Sequence, residues 1–388
     1  MCQSFLRLLL PLFAAFIFAC SLCSPASAEA PNASVADLRV DLPYQAERSD
    51  PITHEIDFSV VVTPPYHSKV LKVWLPLPQT DDGQEINASQ LSTFPEEVEP
   101  QINVERVFGN KFAYFEFHEP RGAQIIRHRF TAKVWNQHWQ VDPADVAPRE
   151  QWPGPFQPYL QPQSAANVSE FDRLLAEVVP SRRQSADDLF SVMNWIDSNL
   201  TYDHSAASLS ASAEHALQSR RGHCSDYHGL CATLGRKLGY PARVTYGLSL
   251  YPKSSPSHCK MEAFLPPYGW VSFDLSETQK MVQRIDADET LSSVERDRLG
   301  VAARERLHRG FRENSWLLVT NGTNYELAPK ASRPVSVVRT IYAEADGEPL
   351  PDPDPADVQQ RKFAWMTVHK YKSDKPFQLP FKDIATLK

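Results

Sequence analysis

The chain has 388 residues, 42% of them hydrophobic and 11% aromatic, with a formal net charge of -7. That length suits two or three domains with sizeable cores, and the acidic balance argues against a nucleic-acid binder, which carries a basic patch or stripe. With 32 prolines against 14 glycines, the connections are expected to be stiff.

Residues 1–28 read as an export signal. Arg7 supplies a weak basic region, Leu8 to Ala19 a hydrophobic run, and Ala26-Ser27-Ala28 a small-residue cleavage site. The run is too short for a transmembrane helix. The expectation is a periplasmic or secreted protein with no stable membrane span after cleavage. A lipid anchor at Cys20, in Ile17-Phe18-Ala19-Cys20, is the lesser reading because Phe18 fits it poorly. Residues 29–50 are polar and unpatterned, and read as a leader.

From there the period becomes that of strands. Ile56, Phe58, Val60 and Val62 alternate with other residues, and Val70–Leu75, Phe112–Phe117 and Ile125–Trp135 follow. Together they predict an antiparallel β-sandwich over residues 51–142. Pro143, Pro148, Pro153, Pro155, Pro158 and Pro162 mark a connector over 143–168. A second domain is expected over 169–345. It opens with helical patterns at Phe171–Val178 and after Ser185, a cap followed by dipole-matching Asp187 and Asp188. Tyr227, Leu230, Cys231, Leu234 and Leu238 then form a buried helical stripe that Gly239 and Pro241 end. Strands are expected at Val244–Leu250, Met261–Leu265 and Trp270–Leu275, and a charged helix at Glu289–Arg309. Residues 346–388 read as a proline-rich linker and a tail with a last strand at Phe363–Tyr371.

Three cysteines, Cys224, Cys231 and Cys259, remain after signal removal. The odd count leaves at least one unpaired thiol in a compartment that permits disulfides. Cys224 follows Gly222-His223 at a helix start, where the partial positive charge favours thiolate and unsatisfied amides can hold an oxyanion. His258 is the candidate base and Asp274 the group that orients it. Whether they share a face depends on a register the residues do not fix. Cys231 reads as core, and a Cys231–Cys259 disulfide is left open. Asp226 reads as a cap, and His223 and His228 are placed at the surface ahead of the cleft.

The run Ala216–His228, the segment Leu238–Arg243, His258 and Gly269–Asp274 together resemble the transglutaminase-like superfamily, over about residues 185–280. The resemblance implies an α+β, papain-like core with a Cys224, His258, Asp274 triad, preceded here by the antiparallel β-sandwich. It also implies acyl transfer on peptide or protein amides through a cysteine thioester, by a cysteine acyltransferase or a cysteine protease or amidase, with no cofactor and a protein or peptide substrate. Lys260 stands where the family often has tryptophan, which bears on a cleft lining. The oxyanion side chain is left among Trp195, Tyr202 and Tyr227. Two readings compete. One is a metal site of Cys224, His228 and Cys231 at i, i+4 and i+7 with His258, although zinc sites usually use short cysteine knuckles. The other is a non-catalytic exported interaction module that keeps the fold.

Overall fold

In a computed structural model the described residues are 38–146, 149–163, 168–253, 255–352 and 365–387. The export signal, the Cys20 site and Pro148 lie outside them. Six strands come first: β1 Glu47–Val62, β2 Val70–Leu77, β3 Gln84–Phe94, β4 Gln101–Val104, β5 Lys111–His118 and β6 Gln124–His138. Then follow α1 Val168–Val178, α2 Ala186–Asn199, β7 Thr201–Tyr202, α3 Ala213–Ser219, β8 Arg221–Gly222 and α4 Cys224–Lys237. The chain continues through β9 Ala242–Ser249, β10 Ser257–Leu265, β11 Gly269–Phe273, α5 Leu275–Ala287 and α6 Ser293–Arg309. Short strands β12 Phe311–Arg312, β13 Trp316–Asn321, β14 Tyr342–Ala345, β15 Glu348–Pro349 and the longer β16 Trp365–Ser373 end the described elements.

Two antiparallel sheets make the sandwich. One has the order β12-β6-β1-β16 with β3 also on β6, and the other β15-β14-β2-β5-β4. The alternation seen in β1 is real: Ile56, Phe58, Val60 and Val62 are buried against Leu71, Val73 and Leu75 of β2 and Phe115 and Phe117 of β5. The sheets also recruit strands from far outside residues 51–142. Tyr342 pairs with Trp74, and Val368 with Ser59. Pairing partners so distant in sequence leave no local signal.

The second core places α4 against an all-antiparallel sheet of order β11-β10-β9-β13. Tyr227, Leu230, Cys231 and Leu234 of α4 are buried with Val244, Met261, Ala263 and Phe273 of the sheet, as the helical stripe requires. Gly239, with φ +96°, follows the end of α4. The Ser185 side chain accepts a hydrogen bond from the Asp187 amide and caps α2.

Two stretches pack more closely than their composition suggests. In the stretch read as a leader, Leu38 is buried, the Trp270 indole donates to the Val40 carbonyl at 2.8 Å, and the Tyr44 hydroxyl donates to Glu262 at 2.9 Å. In the proline-rich stretch, Trp152, Phe156 and Tyr159 pack on Phe264 and Trp270. Aromatic residues set among the prolines give this connection apolar area to bury.

Candidate active site

Cys224 is the first residue of α4 and is 8% exposed. The entry to this helix is built by Gly222 and Asp226. One Asp226 carboxylate oxygen accepts from the His223 amide at 3.0 Å, and its side chain packs so closely that a Cβ on Gly222 would lie 2.6 Å from it. Ser208 also donates to Asp226 through its hydroxyl and its amide. Asp226 is thus the cap expected of it, and it fixes the turn that presents the thiol.

His258, at the start of β10, donates through Nε2 to Asp274 Oδ2 at 2.7 Å. Its hydrogen bond to Cys224 is left to the remaining ring nitrogen. The register pairs Met261 with Phe273, so His258 lies beyond the paired part of β11 while Asp274 follows that strand directly. Asp274 is the N-cap of α5, an element the sequence reading did not include. Its Oδ1 accepts from the Glu277 amide at 3.0 Å while Oδ2 faces His258. One carboxylate thus starts a helix and orients a ring. The three predicted residues meet in space.

The electrostatics favour a charged pair. For Cys224, hydrogen bonding from Cys259 outweighs burial, and the charges of His223 and His258 add to it, so the thiol is held well below its ordinary value. For His258, burial acts against the charged ring, but Asp274 and the Cys224 thiolate win, and it is pushed up to about 9. The two titrate as a unit.

Three neighbours were misread from sequence. His223 and His228, expected at the surface, are both buried. The His228 Nε2 accepts from the Leu275 amide at 3.1 Å, and its Nδ1 lies 3.6 Å from Cys259 Sγ. Burial lowers the ring to about 4, so it is neutral at pH 7 and carries its proton on Nδ1. A line of donors therefore runs from the α5 amide end through His228 and Cys259 to the Cys224 sulfur.

Lys260 does not line the cleft. It is fully buried, with Nζ 2.6 Å from Asp274 Oδ2 and 2.8 Å from Glu313 Oε2. Burial opposes its charge, but the two carboxylates outweigh that and raise its pKa. A lysine two residues after a histidine on one strand shares its face, but that spacing does not name Asp274 or Glu313 as its partners.

Cys231 joins neither a disulfide nor the site. The three cysteines among the described residues are free, and Cys231 sits in the apolar core, where burial pushes its thiol up. Among the described residues no group of three or more His, Cys, Asp or Glu side chains is placed to hold a metal ion. Of the three aromatic candidates for the oxyanion, Tyr202 lines the cleft with Cys224. The Tyr227 hydroxyl instead lies 2.8 Å from both the Leu200 carbonyl oxygen and Gln279 Oε1, and Trp195 stacks under Arg220. Burial and the Cys224 charge push the Tyr202 phenol upward, so it stays a neutral donor.

Among the described residues no helix is long and apolar enough to cross a membrane. Residues 172–275 match the family model described as the transglutaminase-like superfamily. A solved structure from Cytophaga hutchinsonii, named a "Putative Cysteine Protease", superposes with a TM-score of 0.56 at 14% identity, over 87% of this chain and 96% of that one. A likeness at that identity speaks to fold. The periplasmic domain of TgpA from Pseudomonas aeruginosa aligns with a TM-score of 0.31 at 17% identity, over 62% of this chain and 74% of that one. An uncharacterized protein of Haemophilus influenzae is 26% identical over 162 residues, 36% of this chain and 42% of its own length. The match thus spans about two fifths of that relative.

Proposed function

We propose that residues 172–275, a transglutaminase-like domain, form and resolve a thioester on peptide or protein amides. Cys224 is the nucleophile, His258 the acid and base, and Asp274 the group that orients the ring. The observation that carries the reading is the pairing of a depressed Cys224 thiol with a His258 ring held at 2.7 Å by Asp274.

The Cys224 thiolate attacks the amide carbonyl carbon, and a C–S bond forms as the carbonyl oxygen becomes an oxyanion. The amides that open α4 and the Tyr202 hydroxyl, which lines the same cleft, face the developing charge. When the C–N bond breaks, the leaving nitrogen takes the His258 proton, so ammonia or an amine departs neutral. Neutral His258 next removes a proton from water or a primary amine. That nucleophile attacks the thioester, the C–S bond breaks, and the Cys224 thiolate and His258 imidazolium are restored. Asp274 keeps its charge throughout, and Lys260 and Glu313 hold it in place. The signal-like residues 1–28 support action outside the cytoplasm.

The test is a matched pair, wild type and Cys224→Ala, incubated with glutamine-containing peptides with and without a primary amine. Ammonia release and product mass are followed. Hydrolysed product alone assigns water as acceptor, and amine adducts assign transamidation. Inactivity of both proteins across a broad peptide set, with no acyl-enzyme mass on the wild type, supports the non-catalytic interaction module instead.

A further inference from the structure

The cleft around Cys224 is one-sided in charge. Among its described lining residues are Lys253, Lys280 and Arg339, and no aspartate or glutamate. This is unexpected in a chain with a net charge of -7. Two of the cations have carboxylates behind them. Lys280 Nζ is 2.8 Å from Glu277, and one Arg339 terminal nitrogen donates to Asp352 at 2.9 Å. The Arg339 side chain is only 8% exposed, and its Nε has no hydrogen-bond partner. Lys253 is half-buried, and its ammonium lies 5.8 Å from the centre of the Tyr251 ring. Both charges are felt across the cleft: Arg339 acts on His223 and Tyr246, and Lys253 on His204.

A buried guanidinium with an unfilled donor is costly to leave unpaired. Its geometry suits a carboxylate, which can accept from two of its nitrogens at once. We propose that this cleft selects acyl donors bearing a carboxylate beside the scissile amide, received by Arg339 with Lys253 closing over it. The proposal rests on the thioester reading and adds a substrate class to it. The carboxylate comes either from the C-terminus of a peptide or from an acidic side chain, and both offer the same two oxygens.

The first experiment needs no substrate. Cys224 in the full chain is alkylated with iodoacetate or with iodoacetamide, and the adduct is followed by mass. In each case the thiolate attacks the methylene carbon, the C–I bond breaks and iodide leaves. The reagents differ in charge, so the ratio of their rates cancels the thiolate fraction and reports the cleft field. The iodoacetate to iodoacetamide ratio is expected to fall about tenfold in Arg339→Gln and severalfold in Lys253→Gln, within the range of electrostatic focusing in clefts. Lys253→Gln keeps the test intact if loss of the buried Arg339 impairs folding. An unchanged ratio in a folded variant overturns the selection. Failure of wild-type Cys224 to react with either reagent overturns the thioester reading itself, and the selection with it.

The second experiment compares turnover of peptides in matched pairs, one pair with free or amidated C-terminus and one with Glu or Gln beside the reacting residue. A preference confined to the first pair assigns the terminal carboxylate, and one confined to the second assigns a side chain. Equal kcat/KM across all four overturns the proposal.

Discussion

Asp274→Asn tests the charged pair with little change of shape. The amide keeps an oxygen that can cap α5, where Asp274 Oδ1 accepts from the Glu277 amide at 3.0 Å. What disappears is the negative charge facing His258 at 2.7 Å. The rise of that ring from 6.5 to about 9 corresponds to about 3 kcal/mol in favour of its charged form. Asp274 is the largest favourable source of it. Without Asp274, only the Cys224 thiolate is left to oppose burial, and Lys260, left with Glu313 alone, adds repulsion. At pH 7 the ring then loses its charge and the thiolate its partner. The expected loss in kcat/KM is about a hundredfold. Alkylation of Cys224 by a neutral reagent and peptide turnover, both from pH 5 to pH 10, give the readout. The alkaline limb of turnover moves down from about 9, and the acid limb of alkylation moves up. Stability follows the same linkage. A ring whose folded pKa is raised stabilises fully below about 6.5 and loses that contribution as pH rises through about 9. The gap in melting temperature between wild type and variant is therefore widest near pH 6 and narrows toward pH 10. Coincident limbs in the two proteins would falsify the argument.

Other outcomes follow from the neighbours. Lys260→Met leaves Asp274 and Glu313 buried without their shared cation, and costs about 3–5 kcal/mol by urea unfolding. Adding Glu313→Gln recovers part of that loss. Because Lys260 helps hold Asp274 well below its ordinary pKa, its stabilising effect is present at neutral pH and is lost as pH falls, so the Met variant unfolds at a higher pH on acid titration. Cys259→Ala removes the sulfhydryl that donates to Cys224, and its acid limb of alkylation is expected at higher pH with the fold intact; an unmoved limb discounts that donor. Gly222→Ala drives a methyl group to 2.6 Å from the Asp226 side chain. Alkylation of Cys224 should slow and the melting temperature fall, with about 1–3 kcal/mol lost to overpacking.

What could be read in advance was what is local. The stripe of α4, its stop at Gly239 and the alternation of β1 are repeats within one element, and each holds. Cys224, His258 and Asp274 were found because their spacing resembles a family pattern, and they do converge. The support around them was hidden. Lys260 reads as a substitution in a cleft, yet it is an ion-pair partner, because Glu313 lies 53 residues away and nothing local announces it. His228 reads as a surface residue on a helix, because its acceptor role depends on the Leu275 amide, 47 residues on. Asp274 was read at a strand end, where its second task as the cap of α5 could not be seen. β14 and β16 complete sheets begun some 270 to 310 residues earlier in the chain.

The backing of Lys260 fixes an order of assembly. Its ammonium lies 4.9 Å from the centre of the Phe381 ring, and Arg306 donates to the Pro380 carbonyl at 2.9 Å. Phe381 comes more than a hundred residues after Asp274 in the chain. During synthesis the nucleophile, base and orienting carboxylate all exist before the segment that covers the lysine behind them. Undocked, that segment would leave the lysine open to water, which weakens every charge attraction around it. The cover of the lysine behind Asp274 is therefore supplied from far downstream in the chain.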